Sequence, residues 1–512
     1  MKRHQMIRTI CPALLAAGLA LLLSGGCANP EERTYSGLES QALAEWMKTH
    51  RPDLLDNLQE NGGYYVDILD AGDETLPVND TAYWVRLSFT GRDLAGNVCL
   101  TRDEMIARQM GSFTKYTHYV PLYRYCGEAM HGLLDGVHLA LRNPLTVGGS
   151  EVTLGLGARV QLYLTSTIAG NGLSGSGGYQ GQEFGGETYA LSSNRPLIVD
   201  MEVLELVKNP LEEEGTLVDA FASANGTLKP VETEQEEAKA ASLRRLGLAT
   251  RGADEPQYND GYGWRNAVDT LPHLYINHTY HPSVKPDSLW HYEQPYRSSV
   301  APYNNLTDLD TKINQALIDR FGTGRLDGDS VKLEGTAKVW YIGRFLDGFI
   351  FDTNIDEVKE LIYGEVSSTG SAYSVTPKNN ETGEGTRTVD SWYYAVPQLR
   401  FGQWAAIMGT STYNYGATGQ EGMTTTSTTS SGYSSNYYYD MLNYYNYMNS
   451  YYGGAYYGGY YGNYYDYYNY GYYNDYYYNS STTETVTTTS TSTEIQSYTP
   501  LLFQIYIEEA EE

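Results

Sequence analysis

Residues Val339–Asn354, VWYIGRFLDGFIFDTN, constrain this chain more than any other stretch. They alternate as a strand does up to Tyr341, turn at Gly343 and again at Asp347-Gly348, and resume into Phe351-Asp352. Strand, turns and strand describe an antiparallel pair. The chain's 512 residues suffice for two or more domains, each with a sizeable core. Its net charge is -28, and the first 26 residues hold Lys2, Arg3 and Arg8 and no acid, so a chain cut there would carry -28 - 3 = -31. Such a surface repels nucleic acid and anionic lipid, and it fits solubility and self-repulsion.

Three later pieces follow the hairpin. Asp390-Ser391-Trp392 begins a short helix ending at Phe401-Gly402, Tyr413-Asn414-Tyr415-Gly416 follows the next strand, and Tyr498–Ile507 reads as a last strand. Together with the Tyr-x-Gly, turn and Phe-Asp of the hairpin, these pieces resemble, in order, the signature of FKBP-type peptidyl-prolyl cis-trans isomerases. The resemblance implies an α+β fold, each domain a curved antiparallel β-sheet packed on a short α-helix. It also implies a pocket with Trp392 as floor and Tyr341, Phe351 and Phe503 as walls. Asp352 and the Tyr415 hydroxyl are then polar contacts to a peptide, Val389 offers a backbone N–H, and Ile495 matches a rim position. It implies no cofactor and no metal. Three departures stand out: a long stretch Ile355–Arg387, Ser391 where glycine is usual, and Gln496-Ser497 where two prolines are usual.

A weaker copy of the pattern runs through the first half in Ser88–Gly91, Gly132–Gly136 and Pro196–Leu204. Phe89, Cys99, Leu100, Leu133, Gly170 and Val199 stand at the places of Tyr341, Phe351, Asp352, Trp392, Tyr415 and Phe503. That unit lacks the acid, the indole and the hydroxyls, and reads as a scaffold or docking domain. The resulting division is 1–26, 27–60, 61–208, 209–324 and 325–512: a signal peptide, a tethered linker and helix, a degenerate FKBP-like domain, a connector, and a second FKBP-like domain. Within the connector, Val231–Leu246 reads as a solvated helix and 254–300 shows little periodicity.

The basic start, the short apolar core Ala13–Leu23 and Ser24-Gly25-Gly26 before Cys27 resemble a lipoprotein signal. The resemblance implies a chain lipidated at Cys27 and tethered to the outer membrane of a Gram-negative envelope, on the periplasmic or the surface face. Cys99 and Cys126 are either paired in that oxidising compartment or two buried thiols. Residues 417–494 form an insertion in which threonine and serine tracts flank a segment holding about half of the 50 tyrosines. The threonine tracts suit a paired ribbon with a mobile tip, and tyrosine suits contact with protein or glycan. Two functions follow from these features. One is a prolyl isomerase or folding helper for proline-containing exported polypeptides. The other is a non-catalytic binding or assembly lipoprotein using the insertion. Gly170–Gly175 matches a GxGxxG spacing, but no helical pattern follows, and His278 and His281 lack further ligands in register.

Overall fold

The computed structural model describes residues 35–80, 83–110, 113, 115–125, 135–169, 182–184, 187–189, 196–232, 249–251, 257–259, 264–266, 270–283, 306–364, 370–382, 385–386, 388–420, 424–431, 484–491 and 493–509. Cys27, Cys126, Leu133, Gly170, most of the expected connector helix and the tyrosine-rich segment 433–478 lie outside them. Among the described residues no helix is long and apolar enough to cross a membrane.

The fold is α+β, built on two seven-stranded antiparallel sheets. In the first, β1 (Tyr64–Asp70), β2 (Trp84–Asp93), β3 (Val98–Thr101), β4 (Leu122–Tyr125), β5 (Arg159–Leu164) and β6 (Leu197–Val207) run in the order β1-β5-β6-β2-β3. Strand β4 also pairs with β2, and Leu58–Gln59 lies at the edge beside β1. The sequence of β6 explains its place. Leu197, Val199, Met201 and Val203 point into the core while Glu202 and Leu204 face outward, the period of a half-buried strand. Helix α1 (Tyr35–His50) covers part of the other face, packing Leu43 and Met47 with Tyr65 and Tyr163. On the core face lies α2 (Asp135–Arg142), brought close by Gly136, where a Cβ would sit 2.5 Å from Leu164.

Helix α3 (Pro210–Asn225) leads into the second sheet. That sheet contains β7 (Lys229–Glu232) and β8 (Thr270–Asn277), then, after α4 (Leu306–Phe321), β9 (Ala337–Phe345) and β10 (Ile350–Thr353). Beyond α5 (Asp356–Tyr363) come β11 (Tyr373–Val375), α6 (Asp390–Ala395) and β12 (Trp404–Gly409). A ribbon of β13 (Thr424–Ser431) and β14 (Glu484–Thr491) precedes the last strand, β15 (Leu501–Glu509). The order is β7-β8-β12-β15-β9-β10, with β11 on β9. This sheet therefore reaches back to residue 229, across the stretch expected to be connector, and Val231 lies on a strand rather than a helix. The reason is local: β8 has Leu271 and then Leu274 and Ile276 in the core, a phase break at His273, whose φ is +55°. Alternation is lost there, so the strand does not show in the sequence.

All six residues of β12 are buried because helices cover both faces. Ala405 and Ile407 face α6, whereas Trp404, Ala406 and Met408 face α3, α4 and α5. Behind the sheet, fully buried Arg344 pairs with Asp310 of α4 at 2.6 Å and also bonds Gln504 and the Gly348 carbonyl. Every charge there is satisfied, which fixes α4 in register more than it stabilises the fold.

The two sheets are repeats of one plan, residue by residue. Gly91 pairs with Leu100 and Val199, as Gly343 pairs with Asp352 and Phe503. Each hairpin carries a register shift immediately after that glycine. Leu162 against Val199 answers Ile407 against Phe503. Phe89 and Val199 are packed into the first core.

Candidate ligand pocket of the second unit

Tyr341, Phe351, Asp352, Val389, Trp392, Tyr415 and Phe503 come from five separate parts of the second unit and line one pocket of about 380 Å³. Trp392, 4% exposed on α6, is the hub. Its ring stands edge-on to Tyr341 (5.2 Å between centroids), Phe503 (5.3 Å) and Tyr373 (6.1 Å), and Phe351 stands edge-on to Phe503 at 5.9 Å. Edge-to-face contacts set the positive rim of one ring on the negative face of another, holding the cup rigid. Gly343 makes room for it, since a Cβ there would lie 2.5 Å from the Phe351 ring. Trp392 Nε1 is buried without a hydrogen-bond partner. Such an orphan costs about 1–3 kcal/mol and calls for an acceptor.

The polar side is equally fixed. Tyr341 donates its hydroxyl to Asp352 Oδ2 at 2.5 Å, its own amide donates to Asn354, and its carbonyl accepts from Thr353. Asp352 is exposed as a residue, yet the walls crowd its carboxyl. That desolvation raises its pKa above the ordinary carboxylate value, against the Tyr341 bond, which lowers it. Burial, followed by the nearby Asp352 charge, pushes the Tyr415 hydroxyl up to about 12, so it stays protonated at neutral pH. The Tyr341 hydroxyl is raised for the same two reasons. Val389 caps α6 and lines the rim, and Asn380 binds both flanks of that rim through Thr388 and Asp390.

Ile495 is the exception. It is buried in the core beneath the cup and paired across the ribbon base with Gln420, and it does not line the pocket. Sequence reasoning missed Tyr373, Thr388, Asp390 and Asn414 as lining residues. Tyr373 sits on β11 within the long Ile355–Arg387 stretch, where no motif marks it. Of the first unit's matching places, Leu100 occupies that of Asp352, so no carboxylate stands there.

A larger cleft of about 550 Å³ lies between the units. Its charges are spent on one another, Arg86 with Glu213 at 2.7 Å, Arg102 with Glu494 at 3.2 Å and His118 with Asp347 at 2.6 Å. The smaller pocket, with the unpartnered Trp392 N–H and the Asp352 carboxyl at its wall, is the better candidate site. Among the described residues no group of three or more His, Cys, Asp or Glu is arranged to hold a metal ion.

Sheet plan and pocket together define an α+β protein of two repeated units, with an aromatic cup in the second. No protein-family model matches the chain, and no curated protein matches it. Among solved structures it is similar to the three FKBP domains of wheat FKBP73, at 10% identity over 89% of this chain and 98% of that one, with a TM-score of 0.20. It is similar to FkpA from Escherichia coli at 13% identity, over 40% and 70% of the two chains, with a TM-score of 0.21. A peptidyl-prolyl cis-trans isomerase from Pseudomonas syringae pv. tomato matches at 17% identity over 33% of this chain and 93% of its own, with a TM-score of 0.21. At these values the likeness says nothing of activity.

Proposed function

We propose that the chain is a peptidyl-prolyl cis-trans isomerase acting on proline-containing exported polypeptides, with its site in the second unit's pocket. The carrying observation is the edge-on cup of Trp392, Tyr341, Phe351 and Phe503 closed over the Tyr341–Asp352 bond. Rotation about X–Pro crosses a barrier of about 18–20 kcal/mol and breaks no bond. A catalyst must therefore favour the twisted amide, in which the carbonyl loses its conjugation. An apolar cup of this size takes a prolyl ring, and its walls strip water from the amide. The orphan Trp392 N–H leaves a donor for a peptide carbonyl. The protonated Tyr415 hydroxyl and the Asp352 carboxyl supply further polar contacts. Lipidation at Cys27 would tether this activity to the envelope membrane.

A second reading, a non-catalytic lipoprotein binding protein or glycan through residues 417–494, is favoured by the ribbon. Ser431 pairs with Glu484, so the intervening segment leaves and returns at one point. Isomerisation of a short X–Pro peptide and refolding of a proline-limited protein, measured with the full chain, separate the two. The isomerase reading expects acceleration by the wild type and at least tenfold loss in Asp352→Ala and Trp392→Ala. A folded wild type that accelerates neither substrate overturns it.

A further inference from the structure

The loop Ser411–Gln420 carries Asn414 and Tyr415 into the pocket, and it is held from outside the second sheet at both ends. At its start, buried Glu214 of α3 accepts the Ser411 N–H and, at 2.8 Å, the Ser411 hydroxyl. Glu214 is 2% exposed, and its neighbour Glu213 pairs with Arg86 of β2 in the first unit at 2.7 Å. At the loop's end, the Gly416 carbonyl accepts the Tyr498 N–H, and Gln420 bridges Ile495. That returning segment is itself gripped by the first unit. Arg102 and Arg124 both pair with Glu494, the Gln496 side chain accepts the Tyr123 N–H at 2.6 Å and donates to the Pro121 carbonyl at 3.1 Å, and Thr493 donates to the Tyr116 carbonyl. Trp84 meets Tyr498 edge-on at 4.9 Å.

We propose that α3, tied to the first unit through Glu213 and Arg86, and the first unit's grip on the returning segment together set the position of the Asn414–Tyr415 wall of the pocket, with Glu214 and Gln496 as the positioning residues at the two ends of the loop. Neither touches the pocket's lining space; each acts through the backbone it holds. The unit without an acid, an indole or hydroxyls at its own matching places thus serves its repeat by fixing that repeat's Tyr415. The consequence for turnover rests on the isomerase reading, whereas the positioning itself does not. Gln at 214 keeps an acceptor for the Ser411 N–H and a group facing its hydroxyl; Ala keeps neither.

The test uses the full chain with 3-fluorotyrosine incorporated at position 415, read by fluorine NMR, alongside X–Pro isomerisation. Wild type and Glu214→Gln are expected to share one sharp resonance at the same shift. Glu214→Ala and the milder Gln496→Ala should shift or broaden it. Both alanine variants should lose about tenfold or more in kcat/KM, which Glu214→Gln restores. An unchanged resonance in folded Gln496→Ala and Glu214→Ala overturns the positioning. A resonance that moves while the wild type catalyses nothing upholds the positioning and sinks the isomerase reading instead.

Discussion

Two departures from the family pattern become intelligible at the residue scale. Ser391, standing where glycine is usual, donates its hydroxyl to Asn414 at 2.8 Å and ties α6 to the Tyr415 loop. Gln496, standing where proline is usual, bonds β4 of the first unit and Pro121 just before it through the two ends of its amide, which a proline cannot do. Glu214 carries a further consequence. Burial, only partly offset by the two Ser411 bonds, pushes its carboxyl up to about 7. A folded pKa above the unfolded one means stability that is fully present below about 4.5 and is lost as pH rises through about 7. The loss is on the order of 3 kcal/mol. Glu214→Gln, which cannot ionise, is therefore expected to match the wild type near pH 4.5 and to exceed it at pH 8 by an amount of that order. Urea denaturation at a series of pH values reads the difference between the two curves; parallel curves would remove Glu214 as its cause.

Among the elements, legibility followed local periodicity. The Val339–Asn354 hairpin reads from its alternation and its turn at Asp347-Gly348, whereas Gly343, expected as a turn, lies within β9 at a register shift; β6 reads from Leu197–Val207 with both ends in place. The aromatic and acidic members of the cup were legible through their order in the FKBP-like pattern, not through strand periodicity, which sends the neighbours Phe351 and Asp352 to opposite faces although both line the pocket. The threonine tracts that suit a ribbon do pair, Thr424–Ser431 with Glu484–Thr491. What stayed hidden is β8, whose phase slips at His273, and Tyr373, whose place depends on a pairing with β9 that no local pattern records. This concealment has a consequence for truncation. A fragment of residues 325–512 carries every motif of the pocket but lacks β7, β8, α3 and α4. It exposes the edge of β12 and the apolar back face around Trp404, Met408 and Leu502. Such a fragment is expected to be unfolded or aggregated, with collapsed chemical-shift dispersion, whereas a chain starting at residue 209 keeps the whole sheet. Native dispersion in the shorter fragment would show that β8 is dispensable.

Across the whole molecule, the repeat explains why two units that share a plan need not share a task. The same register that places Asp352 at one glycine places Leu100 at the other, so one copy keeps the cup while the other is free to serve as its support. That support rests on buried charge. Burial alone would raise the Glu494 carboxyl, but Arg102 and Arg124 beside it hold it below the usual carboxylate range, and His118 does the same for half-buried Asp347. Depressed folded values have the opposite sign to Glu214. Their stabilisation is present above the ordinary carboxylate pKa and is lost as pH falls through the lower folded value. Acid should therefore weaken the contact between the units while protonation of Glu214 favours the packing of α3 on the second. The expected outcome below about pH 4 is a chain whose small-angle scattering envelope lengthens and whose Trp84 fluorescence changes before its far-ultraviolet dichroism does. Glu494→Gln removes the carboxylate charge that Arg102 and Arg124 share, a loss of roughly 3–5 kcal/mol for such pairs, so it should open the contact already at neutral pH. If the acid-treated wild type instead stays compact until scattering and dichroism change together, the two units unfold as one body, and the ion pairs are not what separates them.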